Sequence, residues 1–209
     1  MKHLICTLFL LLAWILPMNA QSVFITPRAG LNLSNITGTG GSLRPGLSFG
    51  ISGDYMHSSS VGVEVGLHYS MQGSYFKFAD ISPEHNYLNI PVLFKYYIKR
   101  KDGEEGKKGL NVFGGPQLDL KMVVNKVGYT SNTTGLLLSD DMTQSLGSSL
   151  VIGAEYLFES GLVVSANMNI GLANKAKEQF SNYGTVLTTT GSYRDMVAQI
   201  KFGYRFALH

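Results

Sequence analysis

From Met196 to Phe206 the chain reads Met-Val-Ala-Gln-Ile-Lys-Phe-Gly-Tyr-Arg-Phe. Met196, Ala198, Ile200, Phe202, Tyr204 and Phe206 take every second position; Val197, Gln199, Lys201, Gly203 and Arg205 fill the places between. A β-strand sends successive side chains to opposite faces, so this segment has one apolar and one mostly polar face. Its length matches the roughly 9–11 residues of a tilted membrane-spanning strand, and its apolar face turns aromatic toward the C-terminus. It is expected to be the lipid-facing closing strand of a transmembrane barrel.

The same alternation recurs to give about eight segments: Val23–Leu33, Leu43–Tyr55, Val61–Gln72, Tyr87–Ile98, Leu110–Met122, Gln144–Phe158, Leu162–Leu172 and Met196–Phe206. In the third, Val61, Val63, Val65, Leu67, Tyr69 and Met71 oppose Glu64, His68, Ser70 and Gln72. In the fourth, Leu88, Ile90, Val92, Phe94, Tyr96 and Ile98 oppose Asn89 and Lys95, and Pro91, lacking an N–H, predicts a local irregularity. Three connections are short or highly charged: Met56–Ser60, Lys99–Gly109 and Glu159–Gly161. The others are Gly/Ser/Thr/Asn-rich and reach their greatest length at Val123–Thr143 and Ala173–Arg194. Short turns at one end and long loops at the other characterise an eight-stranded antiparallel up-and-down outer-membrane barrel.

A soluble barrel would hide its apolar face and show water the other one. Here the apolar sets are large, and the opposite face carries Arg28, Arg44, Asp54, Glu64, Lys95, Asp119, Lys121, Glu155, Lys201 and Arg205 among many glycines. Small and charged residues suit the narrow interior of an eight-stranded barrel, and large apolar ones suit lipid. Tyr55, Tyr96, Tyr156, Tyr204 and Phe206 fall outward near the short-turn end, where an interfacial aromatic girdle belongs. Measured from that rim, Glu64, Lys95 and Glu155 sit at similar depth, with Arg28 and Lys201 slightly higher. An interior charge cluster is therefore expected, pairing Glu64 with Lys95 and Glu155 with Arg28 or Lys201. Its plain role is a structural plug; a gate or proton path is the alternative. A filled interior argues against a general diffusion pore.

The N-terminus carries an address. Met-Lys-His is followed by the apolar run Leu4–Leu16 and then Pro-Met-Asn-Ala, the layout of a cleaved signal peptide over residues 1–20. Thirteen residues are too few for a spanning helix. The single cysteine, Cys6, lies inside this segment, so the barrel domain at 21–209 has no disulfide. Glycine at 24 residues, tyrosine and phenylalanine at 11 each and only 15% charged residues fit an all-β chain. A net charge of +3, scattered along the chain, gives no basis for nucleic-acid binding.

Four stretches resemble the PorT-like outer-membrane β-barrel proteins of Gram-negative bacteria: Pro27-Arg-Ala-Gly-Leu-Asn-Leu-Ser-Asn-Ile36, Tyr87-Leu-Asn-Ile-Pro-Val-Leu-Phe-Lys-Tyr-Tyr97, Phe113-Gly-Gly-Pro-Gln117 and Gly203-Tyr-Arg-Phe206. The resemblance spans essentially the whole mature chain. It implies an eight-stranded barrel in the outer membrane, delivered by the barrel-assembly machinery, with both termini periplasmic and outer-membrane lipid around it. Its motifs are strand patterns and carry no catalytic role. His68 and Ser70, with Glu64 on the same face, resemble in spacing the lipid A deacylase barrels, which hydrolyse esters. Residues two apart on a strand stand about 7 Å apart, however, and the parity points them inward. No metal-ligand spacing or phosphate-binding loop is present, so neither metal nor cofactor is expected. Asp140-Asp141 reads as a solvated turn. Two functions follow: a structural or adhesive protein acting through its external loops, or an accessory subunit working with envelope or secretion proteins.

Overall fold

The computed structural model describes residues 23–37, 42–58, 60–73, 84–98, 108–122, 146–172 and 194–208. They form β1 (Val23–Thr37), β2 (Arg44–Met56), β3 (Val61–Gly73), β4 (Glu84–Tyr97), β5 (Gly109–Met122), β6 (Leu146–Leu157), β7 (Leu162–Gly171), β8 (Arg194–Tyr204) and the short β9 (Phe206–Leu208). The expected signal peptide, most of the long loops, Asp140-Asp141 and most of the charged Lys99–Gly109 connection lie outside the described residues.

From β1 to β8 each strand pairs antiparallel with its chain neighbour, and β1 pairs with both β2 and β8, so eight strands close into a ring, with β9 continuing the closing strand against β1. Closure removes the sheet edges that lipid could not satisfy. The registers fix the stagger. Moving straight across the ladders from Val23 leads through Tyr55, Val63, Phe94, Gly114, Ile152, Met168 and Ala198, and back to β1 at Leu33. The ring thus closes ten residues along from where it began, Val23 to Leu33. Closure with stagger tilts strands by about 40° and, at eight strands, leaves a lumen that side chains fill.

Three interruptions in the ladders sit at prolines and leave the register intact. Between β3 and β4, Val65 faces Val92 and His68 faces Asn89 in one continuous register, with no pairing at Pro91 and its neighbour between them. Pro116 accounts for the same gap between β4 and β5. The closing strand was expected to run unbroken to Phe206. It is split at Arg205, yet Arg28 opposite Gly203 and Ile25 opposite Phe206 belong to one register that places Tyr204 against Pro27. A proline offers no N–H to the ladder, and that suffices to open each gap.

The faces follow the alternation. Leu31, Phe49, Leu67, Phe94, Ile152, Ile200 and Phe202 all stand exposed on the outside, Leu31 at 64% and Phe94 at 63%. The lumen is not uniformly polar. Phe24, Met56 and Tyr97 cluster inside at the end where the chain termini and short turns lie, and Leu157 and Val163 are sealed at the same end. A second apolar cluster, Leu93, Phe113 and Val151, lines one wall higher up. The β6–β7 turn closes through Phe158 N–H to Leu162 C=O at 2.9 Å, and Gly161 adopts φ +88°, a left-handed conformation that favours glycine.

Candidate functional site

The polar lumen has two tiers. Nearest the termini, above the Phe24–Met56–Tyr97 floor, lies a charged layer drawn from five strands and the residue between β8 and β9. Arg28 Nη2 donates to Glu64 Oε2 at 2.8 Å, and its Nη1 lies 2.6 Å from Glu155 Oε2. Lys95 Nζ reaches Asp54 Oδ1 at 2.6 Å and Glu155 Oε1 at 3.2 Å, and also meets Glu64. Arg205 Nη2 lies 3.4 Å from both Asp54 Oδ2 and Glu155 Oε1, with its guanidinium 5.1 Å from the centre of the Phe24 ring. Thr26 and Asn111 add donors to Asp54 and Glu155. The six side chains are three cations and three carboxylates, none more than 6% exposed. Taking a charge out of water costs several kcal/mol, so only a balanced and mutually hydrogen-bonded set of this kind is tolerable inside.

Above it, toward the loop end, the layer is mostly amide and hydroxyl groups, with the Asp119 carboxylate among them. Asn32 Nδ2 donates to Ser70 Oγ at 2.9 Å, Gln199 Nε2 to Asn32 Oδ1 at 2.9 Å, and Gln117 Nε2 to Asp119 Oδ1 at 2.6 Å and Ser149 Oγ at 3.1 Å. A cavity of about 10 Å³ lies among Gln72, Gln117, Asp119, Ser149, Asn169 and Asp195, room for about one water.

The structure thus brings together Arg28, Glu64, Lys95 and Glu155 of the expected cluster, with the Glu64–Lys95 and Glu155–Arg28 contacts both present. Lys201 was the alternative partner for Glu155, and Arg28 takes that place. Lys201 stands opposite Gly30, two residues along β1 from Arg28, and makes no ion pair among the described residues. Asp54 and Arg205 complete the set instead. Their inward parity was readable; their meeting was not, because it depends on reach across the lumen between strands that are not neighbours.

Glu64, His68 and Ser70 share the inner face of β3, but no hydrogen bond joins His68 to Ser70. His68 Nε2 lies 3.0 Å from Ser52 Oγ, and Ser70 Oγ is taken up by Asn32 and Gln72. His68 and Ser70 are therefore not a nucleophile and base in working contact; the serine that His68 meets is Ser52, buried in the lumen. On the outside, Tyr96, Tyr156, Tyr204 and Phe206 are 42–56% exposed and Tyr55 is half-buried, all near the terminal rim. Tyr156 stacks edge-on with Phe158, and Tyr204 meets Phe206, each at a 4.8 Å ring separation.

Residues 19–176 match the outer membrane protein beta-barrel domain. The chain belongs to the outer membrane β-barrel domain family. Membership places this barrel in the outer membrane, its apolar belt against acyl chains. No curated protein matches the chain. Among solved structures, the attachment invasion locus protein Ail of Yersinia pestis, solved with the heparin analogue sucrose octasulfate, is 13% identical, with 89% of this chain and 99% of that chain covered and a TM-score of 0.49. The Neisserial surface protein A gives 13%, 88%, 97% and 0.47 in the same order. The outer membrane protein W of E. coli gives 20%, 91%, 100% and 0.43. At these identities the likeness concerns the barrel alone.

Proposed function

We propose that this family member is a non-catalytic barrel whose lumen is a structural plug and whose external loops contact a surface, ligand or partner. The observation that carries this reading is the balanced charged layer over an apolar floor, which fills the terminal end of the described lumen with paired and packed side chains. With the interior committed to packing, contacts with the outside fall to the long connections at 123–145 and 173–193. In this reading the termini and short turns face the periplasm, and the partners are outer-membrane lipid and, during insertion, the barrel-assembly machinery. The test is deletion of residues 124–142 and 174–192, separately and together, in cells that display the protein. Loss of surface or ligand binding with an intact barrel supports the loop reading; unchanged binding in the double deletion sinks it.

A second reading rests on the other end. The connection from Tyr97 to Gly109 carries Lys99, Arg100, Lys101, Asp102, Glu104, Glu105, Lys107 and Lys108, on the side of the short turns and both termini. A charged connection of that length favours a periplasmic protein partner, as for a PorT-like accessory subunit of a secretion or transport assembly. Co-purification from whole membranes, with and without charge-neutralising changes at Lys99, Arg100 and Lys101, separates the two. Partners lost with those charges favour the accessory role.

A further inference from the structure

Lys201 projects into the lumen at mid-height, between Ser165 on β7 and Gly30 on β1, its cross-strand neighbours. The carboxylates of the layer below are already matched one for one by Arg28, Lys95 and Arg205. Lys201 is thus surplus charge, and among the described residues it has neither ion pair nor hydrogen bond. An ammonium left this way inside a closed barrel is unfavourable without a counter-charge.

The groups around it are short of acceptors. Arg28 and His68 both lie within electrostatic reach of Lys201, and Glu64, the carboxylate nearest in the same sense, already serves Arg28 and Lys95. Among the buried atoms near this height that have no partner are Arg28 Nε, Ser165 Oγ and His68 Nδ1. The first is a donor and the second can be one. The third is a donor in one ring tautomer and an acceptor in the other. One acceptor, Asn89 Oδ1 across from His68, is unpartnered as well. Lys201 and Asn167 stay partly accessible, whereas Ser165 and Gln199 next to them are 2% exposed.

We propose that the barrel holds one small inorganic anion of halide size at mid-height against Lys201 Nζ, with donors available from Ser165 and Arg28. A filled eight-stranded lumen leaves no room for a larger oxyanion. The site completes the charge balance of the interior and is independent of what the loops bind.

Crystals of the full chain, grown from detergent and soaked in sodium bromide, test it by anomalous diffraction at the bromine edge. One bromide peak within hydrogen-bonding reach of Lys201 Nζ is expected, and none in Lys201→Met. Absence of that peak in the wild type overturns the proposal, as does its survival in the variant. Unfolding of the wild-type protein provides the check that needs no variant. At equal ionic strength, the midpoint should rise saturably as chloride replaces gluconate; an identical midpoint in both salts also overturns the proposal.

Discussion

Lys95 on β4 reaches past the intervening strand β3 to put its Nζ 2.6 Å from Asp54 Oδ1 on β2. The contact is possible because the lumen is narrow and because Gly62, which faces Lys95 across the β3–β4 ladder, leaves no side chain in the way. The pair sits in a network in which every carboxylate touches at least two cations. Lys95→Met leaves three carboxylates facing two cations. Removing one partner from a buried ion set costs about 3–5 kcal/mol. Urea unfolding in detergent should register that loss, and Lys95→Met combined with Asp54→Leu should recover most of it by restoring balance. A single variant as stable as the wild type would show that the charged layer does not hold the plug together.

Much of this was legible in the strand pattern, for a physical reason. Lipid outside and a packed polar lumen inside impose opposite demands on successive residues, so Leu47, Phe49 and Ile51 alternate with Ser48, Gly50 and Ser52 almost without exception. What escaped was of two kinds. Apolar residues on the inner parity, such as Leu93, Phe113 and Tyr97, break the binary pattern because a plug also needs an apolar floor and wall. Contacts across the lumen, such as Arg205 with Asp54, depend on the ten-residue stagger, which no local window of sequence contains. Lys201 was grouped with the cluster on depth alone, and depth does not say which side chains meet.

Glycines in the lumen serve as sockets, and two of them predict different outcomes. A Cβ at Gly66 would lie 2.5 Å from His68 Nε2 and 3.1 Å from Pro91 Cγ, so the main obstacle is a side chain that can move. A Cβ at Gly30 would lie 2.0 Å from the Ile200 carbonyl oxygen, which is backbone. Gly66→Ala should cost about 1 kcal/mol, the worth of the Ser52–His68 hydrogen bond lost when the ring turns away. His68→Ala should then abolish any further penalty of Gly66→Ala. Gly30→Ala should cost about 1–3 kcal/mol as overpacking, with no side-chain change to rescue it. Equal rescue at both positions, measured by unfolding midpoints, would refute the socket account.

At the terminal rim Lys108 hydrogen-bonds Glu159, joining the foot of β5 to the β6–β7 turn. That bond, and the lysine charge behind it, hold the Glu159 carboxyl below its ordinary value of 4.5. A depressed folded-state value means that any stabilisation is present above the unfolded-state value and fades as pH falls through the folded one. Both side chains are largely in water, so the contribution to stability is small and salt-sensitive. Lys108→Ala should return the Glu159 titration to the usual carboxylate range in a carbon-detected NMR experiment, with the unfolding midpoint unchanged. A Glu159 titration that does not move would remove the lysine as its cause.

The orientation of the wall is open to direct measurement on β8. Ile200 is 55% exposed on the outer face and lies opposite Leu31 and Ala166, well inside the apolar belt. Tyr204 is 45% exposed on the same face but stands at the rim, opposite Leu162 at the mouth of a short turn. An arginine facing lipid costs about 2–4 kcal/mol at the bilayer midplane and about 0–1 near the interface. Ile200→Arg should therefore weaken folding into phospholipid vesicles by an amount in the first range, and Tyr204→Arg by one in the second. Asn167, across from Gln199 on the inner face, supplies the control: Asn167→Leu should lose its hydrogen bonds to Asn169 and Gln199 without gaining any lipid contact. If Ile200→Arg folds as readily as the wild type, the apolar face does not look at acyl chains, and the reading of the interior as a plug fails with it.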